Sequence, residues 1–88
     1  MKTTVVNLRD EPYDIYIGRP SYWQNDFKIG KDGTREECIQ KFEKQLRHDI
    51  IKMARITELR GQRLGCFCKP LACHGDIYVK ILKEMKIE

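Results

Sequence analysis

Three of the four cysteines in this chain fall in one short segment, Arg63-Leu64-Gly65-Cys66-Phe67-Cys68-Lys69-Pro70-Leu71-Ala72-Cys73-His74. No other feature constrains the fold as much. The alternation predicts a strand over Arg63 to Cys68, with Leu64, Cys66 and Cys68 on one face and Phe67 on the other. Lys69-Pro70 breaks that strand. His74 or Gly75 then opens a last helix, in which Ile77, Ile81 and Met85 form one stripe with Val79 and Leu82 beside it. A strand end, a turn and a helix start therefore gather thiols and an imidazole in one place.

Those residue types allow three chemistries. Thiolates and imidazole are the natural donors for zinc, which makes Cys66, Cys68, Cys73 and His74 a candidate metal set. Against it, C-x-C followed by adjacent Cys73-His74 is not the usual spacing of a structural zinc knuckle. The alternative is packing, with Cys66 a small buried hydrophobe. In the third reading Cys73 is a nucleophile at the helix N-terminus, where thiol pKa values fall, with His74 and Asp76 moving protons. Cys38 is expected in the core of the first helix, near Ile39 and Phe42, and outside this group.

The rest of the chain reads as a small α/β domain. Val5-Val6-Asn7-Leu8-Arg9 predicts a first strand, and Tyr13 to Ile17 a short second one, closed by Gly18. Residues 18–34 form a long irregular loop, of the kind that often carries function. Thr34 followed by Glu37 is a capping box. Behind it, Ile39, Phe42, Leu46, Ile50 and Met53 recur at helical spacing. Asp49 is placed to cap a second helix, and Gly61 ends the helical stretch. The order is β-β-α(α)-β-α in a single domain over 1–88, with a small, mostly parallel sheet covered by helices on at least one face.

In such sheets, ligands collect beyond the carboxyl ends of the strands. Asn7 and Arg9 follow the first strand, and Cys68 through His74 follow the last. The free N–H groups around Gly75 suit a phosphate. Arg19 and Lys28 in the long loop add positive charge, and Trp23 is available to stack on a base or to fill the core. Lys and Arg exceed Asp and Glu by enough to give +4. That balance suits a nucleotide, a nucleic-acid phosphate or an acidic protein partner. A basic helix face at Lys41, Lys44, Lys52 and Arg55 reads as solvated surface or, less simply, as a contact with a nucleic-acid backbone. No apolar run approaches the roughly 20 residues of a membrane span. No secretory signal is evident at the start, and a cytoplasmic protein is expected.

Three blocks resemble an uncharacterised family of small phage and bacterial proteins, catalogued as a domain of unknown function. They are VVNLR at 5–9, YIGRPSYWQNDFKIGKDGTREE at 16–37 and RLGCFCKPLACHGD at 63–76. The resemblance implies a compact site from Asn7, Arg9, Gly18, Arg19, Trp23, Asn25, Cys66, Cys68, Cys73, His74 and Asp76. Family members read W-G-N-P-F where this chain has Trp23-Gln24-Asn25-Asp26-Phe27. Phage context implies an alternative, a small interaction module that binds a host protein, in which the Cys/His turn is structural. The leading expectation is binding, with or without processing, of a nucleotide, nucleoside or nucleic-acid phosphate at the Cys/His turn.

Overall fold

The structure, a computed structural model, describes residues 2–87. Three parallel strands form the sheet: β1 (Thr4–Asn7), β2 (Ile15–Tyr16) and β3 (Arg63–Cys66), in the order β1-β3-β2. Val5 and Ile15 both stand opposite Leu64, and Val6 and Tyr16 both stand opposite Gly65. Registered neighbours in a parallel sheet point the same way, so these rows define its two faces. The Val5-Leu64-Ile15 row meets the main core. The other face is covered by side chains: the Tyr13 ring lies so close over Gly65 that an added Cβ would stand 2.7 Å from it.

The helical material between β2 and β3 begins as its caps require. The Thr34 hydroxyl accepts from the Glu37 N–H and the Glu37 carboxylate accepts from the Thr34 N–H, starting α1 (Arg35–Arg47). The Asp49 carboxylate accepts from the Lys52 N–H and starts α2 (Ile50–Arg55), which runs into a 3-10 turn over Ile56–Leu59. The break at His48-Asp49 re-phases the apolar stripe. Cys38, Phe42 and Leu46 stay inside, but Ile50 turns out to solvent and is 85% exposed. Ile56 and Leu59 take over its place in the core.

The last helix, α3 (Gly75–Glu84), buries Ile77, Tyr78, Ile81 and Leu82. Met85, expected in its stripe, is the exposed C-cap, because the helix stops one residue earlier. Tyr78 sits at the centre of the core with no exposed surface. Its ring meets Trp23 and Phe42 edge-on, each at 5.4 Å between centroids. Trp23 is thus a core residue rather than a stacking platform for a base.

Gly75 is explained by packing as well. It is buried, and a Cβ there would stand 2.7 Å from Ile17 Cδ1 and 3.0 Å from Val5 Cγ2. Gly75→Ala is therefore expected to cost about 1–3 kcal/mol, the usual range for overpacking a filled core. Urea denaturation checks this, and an unchanged midpoint would show that α3 has room to move away from the sheet. No helix is long and apolar enough to cross a membrane among the described residues.

Candidate functional site

All three strands run the same way, so Asn7, Tyr16 and Cys66 end at one edge of the sheet. Beyond that edge lies a cavity of about 520 Å³. The loop after β2 supplies one wall through Gly18, Arg19, Asn25, Phe27 and Lys28, and the start of α1 supplies Arg35 and Cys38. The segment after β3 supplies Phe67, Cys68, Ala72, Cys73 and His74. The peptide bonds Arg19-Pro20, in the loop after β2, and Lys69-Pro70, in the segment after β3, are cis.

The thiols of Cys66, Cys68 and Cys73 converge, all within 4.8 Å of one another, and could hold a metal ion. The Cys73 thiol donates to the Cys66 sulfur at 3.2 Å. Their electrostatics differ. Cys68 is held well below the ordinary thiol range by hydrogen bonds from Cys66 and Cys73, with the Arg35 guanidinium adding to the effect. Cys66 is pushed up, mainly because its thiol donates to Cys68. Cys73 is pushed up further, by donation toward Cys66 and Cys68 and then by burial. Of the three, Cys68 is thus the one whose surroundings favour the thiolate, and it is half-buried where Cys66 and Cys73 are buried. The surroundings of Cys73 work against the lowered thiol pKa expected of it at the helix N-terminus, and those of Cys68 work toward one.

His74 is held in place by its own hydrogen bonds. Its Nε2–H faces the carbonyls of Ile17 at 2.9 Å and Trp23 at 3.1 Å, which leaves the Nδ1 lone pair 3.6 Å from Cys73 Sγ. Burial pushes the imidazole below its usual pKa, although both carbonyls favour the protonated ring. The converging set is therefore the three thiols, with His74 beside Cys73 and outside that set.

The other expected site residues divide in two. Gly18, Arg19, Asn25 and Lys28 line the cavity. Asn25 also shapes its loop: its side-chain Oδ1 accepts from the Phe27 N–H at 2.9 Å. Gln24 and Asp26, at the two positions that depart from the W-G-N-P-F pattern, pair with each other at 2.7 Å. Asn7, Arg9, Trp23, Gly75 and Asp76 do not line the cavity. Asn7 ties the end of β1 to the turn after β3, donating to the Lys69 carbonyl at 2.8 Å. Arg9 stacks 5.1 Å from the Phe67 ring centroid, on the outside of a residue that forms the cavity rim. The Asp76 carboxylate accepts from the Cys73 N–H at 3.0 Å and pairs with Lys69 at 2.6 Å, so it braces the turn. The basic helix face is not continuous. It is interrupted at His48-Asp49, and its Arg55 is paired with Glu58.

Arg35, Phe67 and Cys38 line the cavity without having been expected there. Arg35 did carry a signal. It is the first residue of α1, where the helix dipole favours a carboxylate and disfavours a cation. A cation there invites a functional explanation. Its Nη1 donates to the Ala72 carbonyl at 3.0 Å, bridging α1 to the turn that holds the thiols.

A protein of Enterobacteria phage T4, described as an uncharacterised 12.4 kDa protein in the nrdA-td intergenic region, is 41% identical over 86 residues. That match covers 92% of this chain and 78% of the phage protein. No solved structure matches. The family described as a domain of unknown function, DUF4326, matches residues 2–84, nearly the whole described fold and every cavity residue, and the chain belongs to that family.

Proposed function

We propose that this domain binds a nucleotide or nucleoside phosphate in the cavity at the carboxyl edge of the sheet, above a zinc ion held by Cys66, Cys68 and Cys73. One observation carries the reading: Arg19, Lys28 and Arg35 all contribute to the lining, and among the described residues no carboxylate does. Such a lining selects anions, and its low-dielectric walls strengthen the attraction. Phe27 and Phe67 add flat apolar surface of the sort that accepts a base or a sugar face. The volume is in the range of small-molecule sites. Three thiols make a soft donor set, which suits zinc and disfavours magnesium or calcium.

The test is a titration of the zinc-loaded protein with nucleoside mono- and triphosphates, followed through backbone amide signals. Shifts are expected at Gly18, Arg19, Lys28 and Arg35. Unchanged signals at all four with saturating nucleotide would overturn the reading. A second reading, docking to another protein, has one observation in its favour. Ile50 and Ile51 lie side by side at the start of α2, 85% and 69% exposed. A partner bound there would perturb residues 50–52 and leave the cavity signals alone.

A further inference from the structure

Zinc prefers four donors in a tetrahedron, and the converging thiols supply three. Among the described residues, His74, Cys38 and Asp76 carry further donors nearby: the Asp76 carboxylate is taken up by Lys69 and the Cys73 N–H, and the free His74 Nδ1 faces Cys73 but lies outside the converging set. The His74 ring is 8% exposed, is fixed by its contacts to the Ile17 and Trp23 carbonyls, and packs edge-on against Phe42 at 5.0 Å. Moving it toward Cys66 and Cys68 would break two buried hydrogen bonds, each costly to leave unmade. The Cys38 thiol is turned toward the Gly33 carbonyl at 3.7 Å, at the start of α1. Meanwhile Cys66, Cys68 and Cys73 all border the cavity that also holds Arg19, Lys28 and Arg35.

We infer that a divalent metal on Cys66, Cys68 and Cys73 takes its fourth donor from an anionic oxygen of the cavity's own ligand, so that metal and phosphate bind cooperatively. This rests on the anion-binding reading above and adds a direct metal–ligand bond to it. The charges agree. Three thiolates around a divalent ion leave one negative charge, and the three cations of the cavity outnumber it. An exogenous oxyanion is therefore attracted to the site with the metal in place. Three protein donors with one open position are also the pattern of metal sites that act on a substrate.

Cobalt(II), a spectroscopic stand-in for zinc, and inorganic phosphate are the probes. Phosphate is expected to change the visible bands of the cobalt-loaded protein. It is also expected to tighten cobalt binding about tenfold, within the roughly 5–150-fold range of ordinary coupling. Linkage requires cobalt to tighten phosphate by the same factor. Free phosphate sequesters free cobalt, which works against the expected tightening, so the sign of the effect is conservative. Cys68→Ser should weaken cobalt binding and abolish the coupling. Cobalt and phosphate that both bind, with unchanged bands and independent affinities, would overturn the direct bond and leave the anion-binding reading standing. The same inference fails if no cobalt is bound. Phosphate and nucleotides that do not bind with or without metal would remove both.

Discussion

Phe42→Ala is expected to lower the stability of this domain by about 4 kcal/mol, within the roughly 3–5 kcal/mol range for removing a buried aromatic ring. Phe42 is 2% exposed, and its ring meets His74 and Tyr78 edge-on at 5.0 and 5.4 Å. Tyr78 in turn meets Trp23 and donates its hydroxyl to the Trp23 carbonyl at 2.9 Å. The four rings join α1, α3 and the long loop, so the cavity left by Phe42 would open between α1 and the two rings, His74 and Tyr78, that hold the Trp23 carbonyl. A domain of this length has roughly 4–13 kcal/mol in total at the usual value per residue, so the loss is a large fraction of it. Phe42→Leu keeps much of the volume and should cost about 1.5 kcal/mol or less. Urea denaturation of the metal-free protein measures both. A cost for Phe42→Ala below about 1 kcal/mol would mean that the ring cluster collapses without penalty and does not position the loop.

The sequence made that cluster only partly legible, for a physical reason. Phe42 is visible because it sits between Ile39 and Leu46 at helical spacing behind a capping box. Tyr78 is hidden because Ile77 and Ile81 make a plausible stripe of their own. A helix buried on a broad face shows more than one such stripe. The parallel sheet and its helices follow from local signals: three alternating segments, two caps and a glycine stop. The re-phasing at His48-Asp49 follows from a cap that could be seen, yet its effect on Ile50 depends on where α2 is aimed, which is a tertiary matter. The same division runs through the site. Cys66, Cys68 and Cys73 are close in sequence and close in space. Arg19, Asn25 and Lys28 sit in a loop whose length and composition advertise function. Arg9 and Asp76 have the chemistry of site residues but are engaged in bracing, by Phe67 in one case and by Lys69 and the Cys73 N–H in the other. Charge alone does not distinguish a residue that faces a cavity from one that stacks on the outside of its rim.

Arg35 puts that distinction to the test, because its two roles predict different outcomes from an ordinary surface arginine. Arg35→Ala is expected to weaken nucleotide binding about 10- to 100-fold, the loss of one charge-assisted hydrogen bond worth roughly 1.5–3 kcal/mol. Arg9→Ala, which removes an equal charge from outside the lining, should change affinity by less than about threefold, as expected of a screened surface charge. The stability of Arg35→Ala should fall little. The variant loses the bond to the Ala72 carbonyl, but it also removes a cation from a helix N-terminus, where the dipole opposes it. The Cys68 thiol should move up in pKa, since one of the groups that hold it down is gone, while the larger contributions of Cys66 and Cys73 remain. The rate of Cys68 alkylation against pH in metal-free protein reads that shift directly, with the variant reacting more slowly than the parent below the ordinary thiol range. If Arg35→Ala binds nucleotide as the parent does, the cation lies against the thiols for structural reasons alone. The anion selectivity of the cavity would then fall to Arg19 and Lys28. If Arg9→Ala weakens binding as much as Arg35→Ala, the ligand lies across the Phe67 rim instead of inside the cavity. If instead Arg35→Ala alone weakens binding, a helix that begins with a cation against its own dipole is explained by what that cation would hold: the Cys68 sulfur on one side and, on the other, the phosphate proposed for the cavity.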